Sequence, residues 1–115
     1  LSIGLGPYVI EPAVSRKIGS TAFAQLSLDS TYWKSSQWGL EKGLYAECLG
    51  NREILKRIVN EKAEILANYS PDACRELRKL HWKNTQHWNS LLPENAKKTA
   101  QLALSDFTQK KIKSL

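Results

Sequence analysis

The chain has 115 residues and is 42% hydrophobic, which is enough for one core and too little for a second independent domain. Its net charge of +6, from 17 Lys and Arg against 11 Asp and Glu, favours an anionic partner, although so modest an excess is more often a solvated basic face. No apolar run approaches the roughly 20 residues that cross a bilayer, so we expect no membrane partner.

The beginning of the chain is unusual for a protein terminus. The sequence contains no methionine and opens on the apolar, uncharged run Leu1–Leu5. Such a run is usually covered by other protein, so we expect the chain to continue an element that lies upstream in a longer protein.

Two short helices are predicted after this opening. Apolar spacing indicates the first over Tyr8–Gly19, where Pro12 either opens or kinks it and the glycine ends it. The second covers Ser20–Leu28.

A third helix is predicted over Tyr32–Lys42, with Trp33 on its core-facing side. The segment Leu44–Leu49 alternates weakly and is either a brief strand or an extended connector. The candidate caps of the third helix are Asp29, Ser30 and Thr31.

The second half of the chain has stronger helical signals. An amphipathic helix is predicted over Asn51–Ser70, and a long one over Pro71–Leu92, which Ser70 caps. We expect Pro93 to open the last helix. The predicted inner stripe of that helix is Ala96, Ala100, Ala103, Leu104 and Phe107.

Trp82 is the exception on the long helix, because it points away from the apolar stripe. A bulky aromatic side chain on a second face is rarely left in water. We therefore predict that Trp82 lies at an interface with another subunit.

The cysteines and histidines form no catalytic or metal-binding pattern. Cys48 and Cys74 match no metal or redox spacing, which indicates reduced thiols in a cytoplasmic protein. His81 and His87 are six positions apart, which does not place two imidazoles on one helix face, so we interpret them as packing or surface residues. We expect no metal site.

Four tryptophans beside many basic residues are compatible with nucleic-acid binding by stacking and phosphate contacts. However, Trp33 and Trp88 fall on predicted core stripes, and aromatic residues at helical spacing are usually core. We therefore predict no nucleic-acid partner, and keep a stand-alone basic helical module, binding nucleic acid or another anion or only oligomerising, as the alternative.

Several segments carry a family resemblance through their order and intervals. They are Ile3–Ile10, Pro12, Arg16–Gly19, Ala22–Leu28, Trp33–Tyr45, Ser70–Ala73 and Ala103–Thr108. Together they resemble the crotonase family, the enoyl-CoA hydratase/isomerase superfamily, whose members often read L-G-I-x-P-x-V-I-x-P and then R-x-I-G.

The resemblance implies the C-terminal, helical part of a β-β-α spiral fold. The whole chain would then be mainly α, with about six helices and at most one short strand. Residues 1–49 would end the spiral core and residues 50–115 would form the oligomerisation region, within a single folding unit. The implied partners are the N-terminal half of the same protein and further copies, as a trimer or a dimer of trimers.

The resemblance also implies an activity on 2-enoyl-CoA thioesters. In the family, two glutamates manage the water or proton at the acyl carbons, and two backbone N–H groups hold the thioester enolate. All four would lie upstream of Leu1, so no catalytic residue is predicted in this chain and the chain alone is expected to be inactive. Coenzyme A would enter as part of the substrate, with no separate cofactor.

Substrate contacts would remain in this chain at its two ends. The loop that borders the acyl pocket corresponds to Gly4, Gly6, Pro7 and Tyr8. The last helix, which approaches the adenosine phosphate end of coenzyme A, corresponds to Phe107, Lys110 and Lys111. Cationic side chains near an anionic ligand are physically reasonable there, although Phe107 in the core and simply solvated lysines explain the same residues.

Overall fold

A computed structural model describes residues 1–114, and over those residues the chain forms six α-helices and no strand. This confirms the mainly helical prediction. The helices are α1 (Glu11–Leu28), α2 (Ser36–Glu41), α3 (Arg52–Ala67), α4 (Pro71–His81), α5 (Trp88–Ala103) and α6 (Asp106–Lys113). None of these helices is long and apolar enough to cross a membrane.

Helix α1 combines the first two predicted helices. Pro12 opens it, in its first turn, where the missing N–H has no helical partner to lose. At Gly19 the backbone leaves the helical region, with φ 80° and ψ 159°, and the helix is kinked there. A side chain rarely adopts that conformation, which explains the glycine.

Helix α2 is shorter than predicted and begins later. Its N-cap is Ser35, whose hydroxyl accepts a hydrogen bond from the Trp38 amide at 3.1 Å. Asp29, one of the three candidate caps, instead accepts from Lys34 Nζ at 2.6 Å. Trp33 therefore precedes the helix and is fully exposed, so the prediction that it faces the core is wrong.

The brief strand considered for Leu44–Leu49 is also absent from the described structure. The amides of Leu44 and Tyr45 both bond the carbonyl oxygen of Gly39, which closes the end of α2 instead of starting a sheet ladder. The extended connector is the correct alternative.

Helices α3 and α4 begin where they were predicted to begin, and α4 begins at its predicted cap Ser70. Asn51 Oδ1 accepts from the Ile54 amide at 2.9 Å, and Ser70 Oγ accepts from the Ala73 amide at 3.4 Å. Pro71 follows Ser70 directly, at a first-turn position that suits proline. These local signals correctly placed both helix starts.

The long helix predicted over Pro71–Leu92 is wrong. It ends at His81, and Asn84 then takes a left-handed conformation with φ 63°. A new helix starts from the His87 carbonyl, which accepts from the Ser90 and Leu91 amides. Pro93 consequently lies inside α5 and does not open it.

The contacts group the chain into two compact units, Leu1–Ala46 with the segment from His87 onward, and Glu47–Gln86. In the first unit, Pro12 and Ala22 are the buried apolar side chains among the described residues. In the second, no residue is buried.

The roles assigned to residues 1–49 and 50–115 stay predictions. Large apolar side chains exposed on α3 and α4 are Ile54, Leu55, Val59, Ile65, Leu66, Leu77 and Leu80.

We predict that Gly19→Ala destabilises the chain by about 2 kcal/mol, because an L side chain at that φ and ψ is strained. Urea unfolding followed by circular dichroism measures the effect. Gly50→Ala is the matched control, since no left-handed φ is required there and its nearest side-chain atom, Ile54 Cδ1, would be 4.0 Å away. Equal unfolding free energies for the two variants would contradict the kink's dependence on glycine.

Candidate functional site

The loop that precedes α1, residues 1–10, is shaped by its own backbone; we call it the amino-terminal loop. The Gly4 amide donates to the Leu1 carbonyl at 2.9 Å, and the Glu11 amide donates to the Pro7 carbonyl at 3.0 Å. Gly4 has φ 84°, which favours glycine. The loop thus carries four of the predicted substrate-binding residues on a defined backbone.

The loop meets the first turn of α6. A methyl group built on Gly4 would overlap Thr108 Oγ1 and lie 2.9 Å from Phe107 Cδ1. Thr108 is fully buried, and its amide donates to Ser105 Oγ at 3.3 Å, the N-cap bond of α6. The structure therefore brings Gly4 and Phe107 together from opposite ends of the sequence.

The Tyr8 side chain folds back over Gly6. A methyl group on Gly6 would lie 2.6 Å from Tyr8 Cζ and 2.9 Å from its hydroxyl oxygen, so a side chain there would displace the ring from its present place. Gly6 and Pro7 also line an open depression of about 400 Å³, completed by Leu26 and Ser27 near the end of α1. This depression is where the loop can border a ligand.

A second link, which the sequence did not reveal, joins the loop to α5. Asn95 is only 7% exposed, and its Nδ2 donates to the Tyr8 carbonyl at 2.9 Å. The least exposed stripe of α5 runs through Asn95, Thr99 and Leu102.

The predicted alanine stripe is one residue out of phase with this and is wrong. The helix turns Asn95 inward because its amide has a hydrogen-bond partner there, and the small, weakly hydrophobic alanines gain less from burial. Of the predicted stripe, Ala96, Ala100, Leu104 and Phe107 are exposed.

Lys110 and Lys111 lie two and three residues after Thr108 and are exposed. Neither forms an ion pair with a carboxylate in the described part of the chain. Their position in the last turns of α6 also suits the negative end of the helix dipole. They are available to an anion, and their role in substrate binding stays a prediction.

The remaining candidates lie apart from this site in the chain. Trp82 is the C-cap of α4 and is 50% exposed, and its interface role stays a prediction. His81 and His87 are exposed, as expected for surface residues. Residues 1–114 contain no cluster of side chains that could hold a metal ion, and Cys48 and Cys74 are exposed and not joined in a disulfide.

Comparisons with known protein families, with curated proteins and with solved structures found no match for this chain.

We predict that Gly4→Ala destabilises the chain by about 1 kcal/mol more than Gly43→Ala. Both glycines have a left-handed φ, but the nearest atom to a new methyl group at Gly43 is 3.8 Å away, whereas Gly4 presses on Thr108 and Phe107. The difference between the two unfolding free energies isolates the close contact from the backbone strain. Equal losses would show that the loop does not depend on its contact with α6.

Proposed function

We propose that this chain is the C-terminal, helical portion of an enoyl-CoA hydratase/isomerase-like enzyme that acts on 2-enoyl-CoA thioesters. The observation that carries the proposal is the contact between Gly4 and Phe107, because it joins the two segments to which the resemblance assigns the substrate. The amino-terminal loop would form part of the acyl wall, and α6 would approach the phosphates of coenzyme A.

In the proposed reaction, paired glutamates add water to the enoyl thioester or shift its double bond. An oxyanion hole of two backbone N–H groups stabilises the enolate. These groups would be supplied by the N-terminal half of the protein. The residues of this chain position the substrate and exclude water, and none of them moves a proton at the acyl carbons.

The charge of the C-terminal segment supports an anionic ligand. From His87 onward the chain carries more cations than carboxylates, which raises the local concentration of phosphate groups. The cations are Lys97, Lys98, Lys110, Lys111 and Lys113, and the carboxylates are Glu94 and Asp106.

The exposed apolar faces of α3 and α4 support assembly with further protein. Helices with one apolar face owe most of their stability to burying it, and no residue of the unit that contains them is buried. We propose that copies of the protein, as a trimer or a dimer of trimers, and its N-terminal half cover these faces in the cytoplasm.

A nucleic-acid-binding module is the second candidate, favoured by one observation. Trp33 is fully exposed beside the exposed Tyr32, so Trp33 gives no argument against base stacking. The neighbouring cation Lys34 is paired with Asp29. It therefore offers no free charge to a phosphate beside these two aromatic residues. The thioester proposal is therefore the better supported one.

Titration calorimetry with coenzyme A and with dephospho-coenzyme A tests the proposal. We expect the double variant Lys110→Ala with Lys111→Ala to bind coenzyme A about fivefold more weakly, because two exposed cations each add a modest attraction to the terminal phosphate. The affinity of the same double variant for dephospho-coenzyme A, which lacks that phosphate, should fall by a smaller factor. Lys56→Ala with Lys83→Ala removes the same charge from the other unit and is the matched control.

Equal weakening in both double variants would show a general charge effect and no phosphate site. The chain alone should leave crotonyl-CoA unchanged, and turnover by it would contradict the placement of the glutamates upstream. Tight binding to single-stranded DNA with a steep salt dependence, in the absence of any heat from coenzyme A, would favour the second candidate.

We also predict that Trp82→Ala lowers the oligomeric mass measured by analytical ultracentrifugation, because a half-exposed tryptophan is a typical anchor of an interface. Trp33→Ala removes another exposed tryptophan and should leave the mass unchanged. An unchanged mass and melting temperature for Trp82→Ala would rule out its interface role.

A further inference from the structure

Asn95 occupies a position that helix packing alone does not explain. It is one of two buried polar residues in the described chain, the other being Thr108, and it lies in the middle of α5. A buried amide without partners is costly, so its hydrogen bonds account for its presence there.

The hydrogen bonds of Asn95 fix the direction of its amide. Lys98 Nζ donates to Asn95 Oδ1 at 3.4 Å, so the Nδ2 group is left to face the Tyr8 carbonyl, to which it donates at 2.9 Å. A carbonyl cannot donate in return, and the reversed amide would set two acceptors against each other. The bond to Tyr8 is therefore directional and specific for an amide donor.

The amino-terminal loop is thus held at two places. Gly4 is pressed against Thr108 at one place, and the Tyr8 carbonyl is bound by Asn95 at the other. Gly6 and Pro7 lie between these two anchors and line the open depression. The Tyr8 ring covers Gly6, which lines the depression. A shift of the Tyr8 backbone would therefore move the ring relative to that depression.

We propose that Asn95 is a positioning residue that sets the place of the Tyr8 ring and thereby the acyl side of the substrate site. This inference rests on the proposed function, since it assigns the depression to the acyl group of a thioester. Asn95 itself touches no substrate. Its effect is confined to the acyl group, because coenzyme A is held by α6.

The test compares coenzyme A with butyryl-CoA, an unreactive saturated thioester, in titration calorimetry. The gain in affinity that the acyl group provides is the ratio of the two dissociation constants. We expect Asn95→Asp, which replaces the donor by an acceptor, to reduce that ratio about tenfold, as for a lost and unreplaced hydrogen bond. Coenzyme A affinity should stay unchanged, and Asn89→Asp on the exposed part of α5 is the control.

A double-mutant cycle separates positioning from stability. If Asn95 acts through the Tyr8 ring, Asn95→Ala should lower the ratio in the unmodified chain and have no further effect in a Tyr8→Ala background. A merely structural role would change melting temperature and leave the ratio of dissociation constants unaffected. Asn95→Ala also serves where Asn95→Asp does not fold, because it introduces no charge.

The outcomes distinguish the two proposals. Binding of both ligands with an unchanged ratio in the folded variants overturns the role of Asn95 and leaves the proposed function intact. Absence of binding by the unmodified chain overturns the proposed function and this inference with it. Loss of folding in both Asn95 variants assigns the residue to stability alone and overturns the positioning role.

Discussion

The hydrogen bond from Asn95 to the Tyr8 carbonyl is the contact on which the first unit most depends. Pro12 and Ala22 are the only buried apolar side chains of the described part of that unit, so few apolar groups are fully removed from water there. The polar bond and the close contact of Gly4 with Thr108 connect them instead. The hydrogen bond is directional, and the close approach at Gly4 leaves no room for a side chain, so together the two contacts fix where the loop lies.

The second unit follows a different principle. Its helices α3 and α4 have side-chain caps at their N-termini and ion pairs along their exposed faces, such as Arg57 with Glu61 and Lys79 with Glu76. Surface ion pairs of this kind contribute little, and isolated helices of this length are marginal in water. Burial of their apolar faces would add the stability that these local contacts lack, and the proposed association with further protein is one way to bury them.

The sequence revealed those parts of the fold that local interactions determine. The start of α3 at Asn51, the cap Ser70 and the break at Gly19 depend on residues within one helical turn, and all three lie where the pattern predicted. Trp33 and Pro93 were misplaced because their surroundings depend on other contacts. Asp29 pairs with Lys34 and so does not cap a helix, and the His87 carbonyl starts α5 before the proline.

The site was predictable in the same uneven way. A resemblance pointed to Gly4, Gly6 and Phe107, and the structure gives physical reasons for both glycines in Thr108 and the Tyr8 ring. Asn95 was missed because a polar residue that follows Glu94 and precedes Ala96, Lys97 and Lys98 reads as exposed. Its partner is a backbone carbonyl far away in sequence, and a carbonyl group has no signature in the sequence. Contacts of this type hold a loop in place without a side-chain motif, so they emerge only from the structure.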